Sequence, residues 1–140
     1  MKEIMVAYWS GTGNTAAMAT ILGKGIQDGG AAAKVVSVED IKADDLKDYP
    51  VFALGCPSMG NETLEETVME DFVTEVESFA SGKKIGLFGS YGWGDGEWMR
   101  NWEEDAKGAG ITLACDSVIC NDAPDDEATA SLKELGAAIA

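Results

Sequence analysis

Short, almost unbroken apolar runs alternate along the whole chain with longer stretches whose apolar residues recur every three or four positions. The short runs lie at 4–9, 34–38, 51–56, 85–90 and 112–119. The longer stretches lie at 16–27, 65–79, 97–107 and 126–139. Segments such as Val51-Phe52-Ala53-Leu54 and Ile85-Gly86-Leu87-Phe88 lack the apolar-polar alternation of a sheet with one wet face, so both faces of each strand must be covered. Strands that alternate with helical stretches and are covered on both faces predict an α/β chain: an open, doubly wound parallel sheet of βα units with helices on both sides. With 140 residues, 46% of them hydrophobic, and no Pro-rich or low-complexity tract, the chain reads as one domain, 1–140.

Helix signals fit this segmentation. Thr63-Leu64-Glu65-Glu66 has the spacing of a capping box at the head of the second helix, and Pro124 precedes the last one. Val68, Phe72, Val76 and Phe79 recur at helical spacing and are expected to face the sheet, as are Trp98 and Trp102 four residues apart. Cys56, Cys115 and Cys120 make neither a C-x-x-C pair nor an even disulfide set and are expected to be buried thiols, the last two on opposite sides of one continuous strand.

The first strand-to-helix junction is Ser10-Gly11-Thr12-Gly13-Asn14-Thr15. It combines three hydroxyls, one amide, two glycines that permit a tight turn and the free N–H groups of a helix N-terminus, which together form a cradle for an anion. It holds no Lys or Arg, so neutral donors and the helix dipole must hold the charge. Neither a G-x-x-x-x-G-K-[ST] nor a G-x-G-x-x-G pattern occurs there, which points to a phosphomonoester rather than a nucleoside triphosphate or a dinucleotide.

In a doubly wound sheet, ligands bind beyond the carboxyl ends of the strands. Two further strand exits stand out: Cys56-Pro57-Ser58-Met59-Gly60-Asn61-Glu62 and Ser90-Tyr91-Gly92-Trp93-Gly94-Asp95-Gly96. Each sets one large side chain, Met59 or Trp93, among glycines on a polar loop, and two such side chains can sandwich a flat ring. Composition narrows the chemistry further. The chain has no His, which removes His-based triads and metal sites. Its 25 acidic against 10 basic residues give a net charge of −15, which argues against nucleic acid or an anionic membrane as partner and in favour of a basic protein surface. No apolar stretch reaches the length of a membrane span and no leader pattern is visible, so a cytoplasmic location is expected.

These three loops, in this order and spacing, resemble the flavodoxin family, in particular its short-chain members from anaerobic bacteria. The resemblance implies a five-stranded sheet in order 2-1-3-4-5 and bound FMN. It implies that Ser10, Gly11, Thr12, Gly13, Asn14, Thr15 and Ser58 surround the phosphate, that the ring lies between Met59 and Trp93, and that Glu62 accepts from the flavin N3–H. Main-chain groups around Ser90, Tyr91, Gly92, Trp93 and Gly94 would then address the pyrimidine edge. The Gly60-Asn61 turn is expected to aim the Gly60 carbonyl at flavin N5 and so to stabilise the neutral semiquinone. Asn61 departs from the family pattern, in which Asp is frequent here, and one carboxylate near the ring is lost.

The function implied is a low-potential one-electron carrier that cycles FMN between semiquinone and hydroquinone and passes electrons between redox enzymes, without being a catalyst itself. Its partners would be basic surfaces bound weakly and transiently by a monomer, steered by Glu62, Glu65, Glu66, Glu70 and Asp71 together with Asp122, Asp125, Asp126 and Glu127. The alternatives are an FMN-dependent NAD(P)H or quinone reductase on the same fold, and a phospho-acceptor receiver domain. The first lacks a basic residue in the loops for a 2′-phosphate. The second lacks an Asp at the end of the third strand, where Leu54-Gly55-Cys56 stands.

Overall fold

The computed structural model describes residues 2–59 and 62–140. The elements in chain order are β1 (Glu3–Tyr8), α1 (Asn14–Asp28), β2 (Ala32–Ser37), β3 (Val51–Gly55), α2 (Met69–Glu77), β4 (Lys84–Tyr91), α3 (Glu97–Gly108), β5 (Thr112–Leu113), β6 (Val118–Asn121) and α4 (Asp126–Ile139). All strand pairs are parallel and the order is β2-β1-β3-β4-β5, with β6 also on β4. This is the doubly wound sheet in order 2-1-3-4-5.

Alternate residues of each strand feed opposite cores, as the two-residue period of a strand requires. Ile4, Val6, Ala53 and Phe88 pack under α1 and α4 with Met18, Leu22, Ile26, Leu132 and Leu135. Met5, Ala7, Phe52, Leu54 and Leu87 pack under α2 and α3 with Phe72, Val76, Trp98 and Trp102. Val68 and Phe79 complete the expected stripe at the edge of this second core. Among the described residues no helix is long and apolar enough to cross a membrane.

Between β2 and β3, where the sequence reading places no helical stretch, a 3-10 turn, Ala43–Leu46, covers the sheet and buries Ala43 and Leu46. Three details differ from the sequence reading. The expected strand 112–119 is two short strands, β5 and β6, separated by 114–117, where Asp116 and Ser117 are turn formers disfavoured in a strand. Cys115 falls in that interruption and is exposed, while Cys56 and Cys120 are buried. Finally, α2 begins at Met69 rather than 65, because the side chain of Glu65 folds forward and caps it. The Glu65 carboxylate accepts from the N–H groups of Thr67, Val68 and Met69 at 3.0, 2.6 and 3.0 Å and from the Thr67 hydroxyl. Glu65 is therefore only 4% exposed and does not belong to the acidic rim. Burial raises its pKa, but these hydrogen bonds outweigh it and hold the carboxyl below the ordinary range.

Candidate functional site

The carboxyl ends of β1, β3, β4 and β6 all open on one edge of the sheet, and the loops leaving them enclose a cleft of about 180 Å³. Gly11, Thr12 and Asn14 come from the β1–α1 loop, Pro57, Ser58 and Met59 from the exit of β3, Ser90, Tyr91 and Gly92 from the end of β4, and Asp122 from the exit of β6. The loops are fastened to each other by main-chain bonds: Ser58 N–H donates to the Ser90 carbonyl at 2.9 Å, Cys56 N–H to Phe88 O at 3.1 Å and Asp122 N–H to Tyr91 O at 2.8 Å.

Ser10, Gly13 and Thr15 stand behind this lining. Gly13 caps α1 with φ 100°, a conformation that costs a residue with a Cβ. Its N–H and that of Ala16 converge on Ser10 Oγ at 3.1 and 3.3 Å, so the loop turns main-chain donors inward. Within the first turn of α1, Ala16 N–H is taken by Ser10 Oγ and Ala17 N–H by Gly13 O, which leaves the N–H groups of Asn14 and Thr15 for a ligand. Thr15 is buried, with its hydroxyl 3.3 Å from that of Ser90, and the pair joins the start of α1 to the end of β4. The Cys56 thiol donates to Pro57 O and accepts from Glu65 N–H, both at 3.4 Å; burial pushes its pKa up to about 12, so it is a packing group with no thiolate chemistry near neutral pH.

Met59 and Thr63 form a reciprocal main-chain pair at 2.9 Å in both directions. Gly60 and Asn61, to which the sequence assigns the turn next to the ring, lie outside the described residues. Glu62, at φ 55°, is nearly buried, and its carboxylate reaches the β4–α3 loop, where it accepts from Asp95 N–H at 3.0 Å. Gly94, at φ 88°, lies against the same carboxylate: a Cβ there would sit 2.1 Å from Glu62 Oε1. Trp93 projects from this loop and is 61% exposed, and Met59 is 37% exposed. They are two of the three large hydrophobic side chains left exposed among the described residues.

On the far side of Glu62, between α2 and α3, lies a broader hollow of about 340 Å³ walled by Glu70, Glu77 and Asp105 above Trp98 and Trp102. Burial and the nearby Asp105 push the Glu77 pKa up. Of the expected rim, Glu62 is buried and, like Glu65, does not belong to it; Glu66, Glu70, Asp71, Asp122, Asp125, Asp126 and Glu127 are exposed, although Asp125 also caps α4 by accepting from Ala128 N–H at 2.8 Å.

The structure thus gathers Gly11, Thr12, Asn14, Ser58, Met59, Ser90, Tyr91 and Gly92 around one cleft, with Ser10, Gly13 and Thr15 supporting it; Glu62, Trp93 and Gly94 do not line it, and Glu62, set against Gly94, faces the hollow between α2 and α3. Sequence reasoning omitted Pro57 and counted Asp122 only as a rim charge. Asp122 follows the last strand at the same sheet edge and takes φ 59°, so its position at a strand exit was the available signal.

FMN fits this donor set. A phosphate monoester needs converging neutral donors at a helix N-terminus, which the 10–15 loop supplies, and a flat ring needs soft or aromatic surfaces outside the core, which Met59 and Trp93 supply.

Comparison with known proteins agrees. The flavodoxin family model matches residues 6–135. A flavodoxin of Clostridium beijerinckii is 44% identical over 135 residues, covering 96% of this chain and 97% of its own. One of Megasphaera elsdenii is 44% identical over 137 residues, covering 98% of each chain. The solution structure of two-electron reduced Megasphaera elsdenii flavodoxin superposes with a TM-score of 0.89 over 97% of both chains.

Proposed function

The chain belongs to the flavodoxin family, and from that premise we propose that it is a single-domain, cytoplasmic, monomeric carrier of single electrons that works through tightly bound FMN. Bound there, FMN supplies two one-electron couples. The protein's own groups bind it, orient it and bias those couples.

In this reading the 10–15 loop and Ser58 hold the phosphate, Met59 and Trp93 flank the ring, Glu62 accepts from N3–H, and the main chain of 90–94 meets the pyrimidine edge. The observation that carries the reading is a cleft at the N-terminus of α1 lined by hydroxyls, an amide, glycines and the Met59 thioether, with one carboxylate, Asp122, and no cation, while the exposed Trp93 indole follows the lining residue Gly92 in the chain. The same absence of Lys and Arg from the lining leaves nothing to receive the 2′-phosphate of NADPH, which counts against a reductase.

The net charge of −15 opposes a second electron on the ring and should place the second couple at low potential. Added salt should raise it modestly. The exposed carboxylates around the cleft steer basic partner surfaces into weak, short-lived complexes.

The test is uptake by flavin-free protein followed by visible absorbance. FMN should bind and turn the protein yellow, riboflavin should bind far more weakly because it lacks the phosphate, and NADPH should not bleach the complex rapidly. Equal affinity for riboflavin would overturn the phosphate assignment, and fast bleaching by NADPH would favour the reductase.

A further inference from the structure

Arg100 sits in the first turn of α3, with its main-chain N–H on Gly96 O at 3.1 Å. A cation there faces the positive end of the helix dipole, an unfavourable place for it. Its side chain nevertheless turns back onto the loop: Nη1 donates to the Asp95 carbonyl at 2.9 Å and Nη2 to Asp95 Oδ1 at 3.0 Å. The planar fork of a guanidinium holds the carbonyl and the carboxylate through two nitrogens of fixed relative geometry, whereas a lysine would have to serve both from one ammonium. On the other side of the same residue, Asp95 N–H donates to Glu62 Oε1 at 3.0 Å, and the carboxylate is pressed against Gly94. A continuous line of contacts therefore runs from α3 through Arg100 and Asp95 to the Glu62 carboxylate.

We propose that Arg100 is a positioning residue: it fixes the Asp95 peptide, and through that N–H it sets where the Glu62 carboxylate stands. The inference rests on the FMN reading for its redox consequence but not for its geometry. A carboxylate fixed beside N3–H favours the neutral ring and opposes the negative charge of the fully reduced one. Releasing it therefore makes the second couple less negative. Removal of the Arg100 charge acting through space has the opposite sign, because a nearby cation favours the anion.

Arg100→Lys keeps the charge and loses the fork, and Arg100→Gln loses both. In flavin-free protein, both variants should speed amide hydrogen exchange at Asp95 at least fivefold, a readout independent of any cofactor. In FMN-loaded protein, Arg100→Lys should shift the second couple upward by a factor of about five in its equilibrium constant, about 40 mV at 59 mV per decade for one electron, and Arg100→Gln upward by less, because losing the cation opposes the shift. The Arg100→Lys shift should vanish when Glu62→Gln is already present, as a cycle through a shared partner requires.

The inference is overturned if Arg100→Lys matches the wild type in both measurements, if Arg100→Gln moves the couple downward, or if the shift persists in the Glu62→Gln background. Failure of the wild type to take up FMN would instead sink the FMN reading and leave the exchange measurement to judge the clamp.

Discussion

Removing the Glu65 carboxylate tests how the ring loop is attached to the body of the protein. The carboxylate satisfies three N–H groups at the head of α2 and one hydroxyl while it is 4% exposed, and its own N–H is bonded to the buried Cys56 thiol. Loss of a helix cap costs about 0.5–2 kcal/mol. A buried donor left without a partner costs about 1–3 kcal/mol. Exposed Thr67 lets water reach part of the gap, while Met69 is fully buried and gains no substitute, so Glu65→Ala should cost about 3 kcal/mol. At about 2.1 cal/mol/K per residue, a chain of 140 residues has an unfolding entropy near 300 cal/mol/K, and the melting point should fall by about 10 °C. Glu65→Gln keeps an acceptor and should lose about 1 kcal/mol.

Acid supplies a second check. The folded-state pKa of Glu65 lies below its unfolded value, so its contribution is complete above the ordinary glutamate range, about pH 4.3, and is lost as pH falls through the lower folded value. Urea unfolding of flavin-free protein across that range measures both quantities. A penalty for Glu65→Ala below about 0.5 kcal/mol at pH 7, or a gap from wild type that stays constant in acid, would refute the reasoning.

Gly89→Ala should destabilise by about 1–3 kcal/mol or more, because a Cβ there would lie 2.1 Å from the Cys56 carbonyl; a wild-type urea midpoint would show that the strands can separate without cost. Burial and Asp105 raise the folded pKa of Glu77, so the wild type gains stability as pH falls through that raised value. Glu77→Gln should therefore be more stable than the wild type near pH 8, with the advantage shrinking toward pH 4; thermal melts across that span decide it. Trp93→Ala should leave unfolding within about 0.5 kcal/mol of the wild type, since the side chain is 61% exposed, yet weaken FMN binding about tenfold in a visible titration.

The sheet was legible because runs such as Val51-Phe52-Ala53-Leu54 are apolar at every position, and only a strand covered on both faces needs that. The break in 112–119 was overlooked: it contains neither Gly nor Pro, but Asp116-Ser117 are turn formers disfavoured inside a strand, and they separate strands that both still pair with β4. Glu65 shows a different limit. Sequence gives the charge of a carboxylate but not whether its side chain meets water or folds onto the next helix, so a cap was counted as rim. Within the cleft, hydroxyls and glycines at strand exits revealed Thr12, Asn14, Ser58 and Gly92. The pairing of Thr15 with Ser90 across 75 residues depends on which loops meet, and the hold of Arg100 on Asp95, five residues back, on a side-chain rotamer, neither of which periodicity encodes.

The unequal surroundings of the tryptophans give this molecule an optical gauge of its own state. Trp98 and Trp102 are sealed beneath α3 and Trp9 is half-buried at the end of β1, whereas Trp93 stands in solvent. The emission of the four is therefore split between blue-shifted buried indoles, with Trp9 intermediate, that report whether the body is folded and a red-shifted indole open to iodide quenching. A flavin absorbs where indoles emit, so filling of the cleft dims the signal without any attached dye, and the shielding of Trp93 from iodide tells a seated ring from one bound loosely elsewhere.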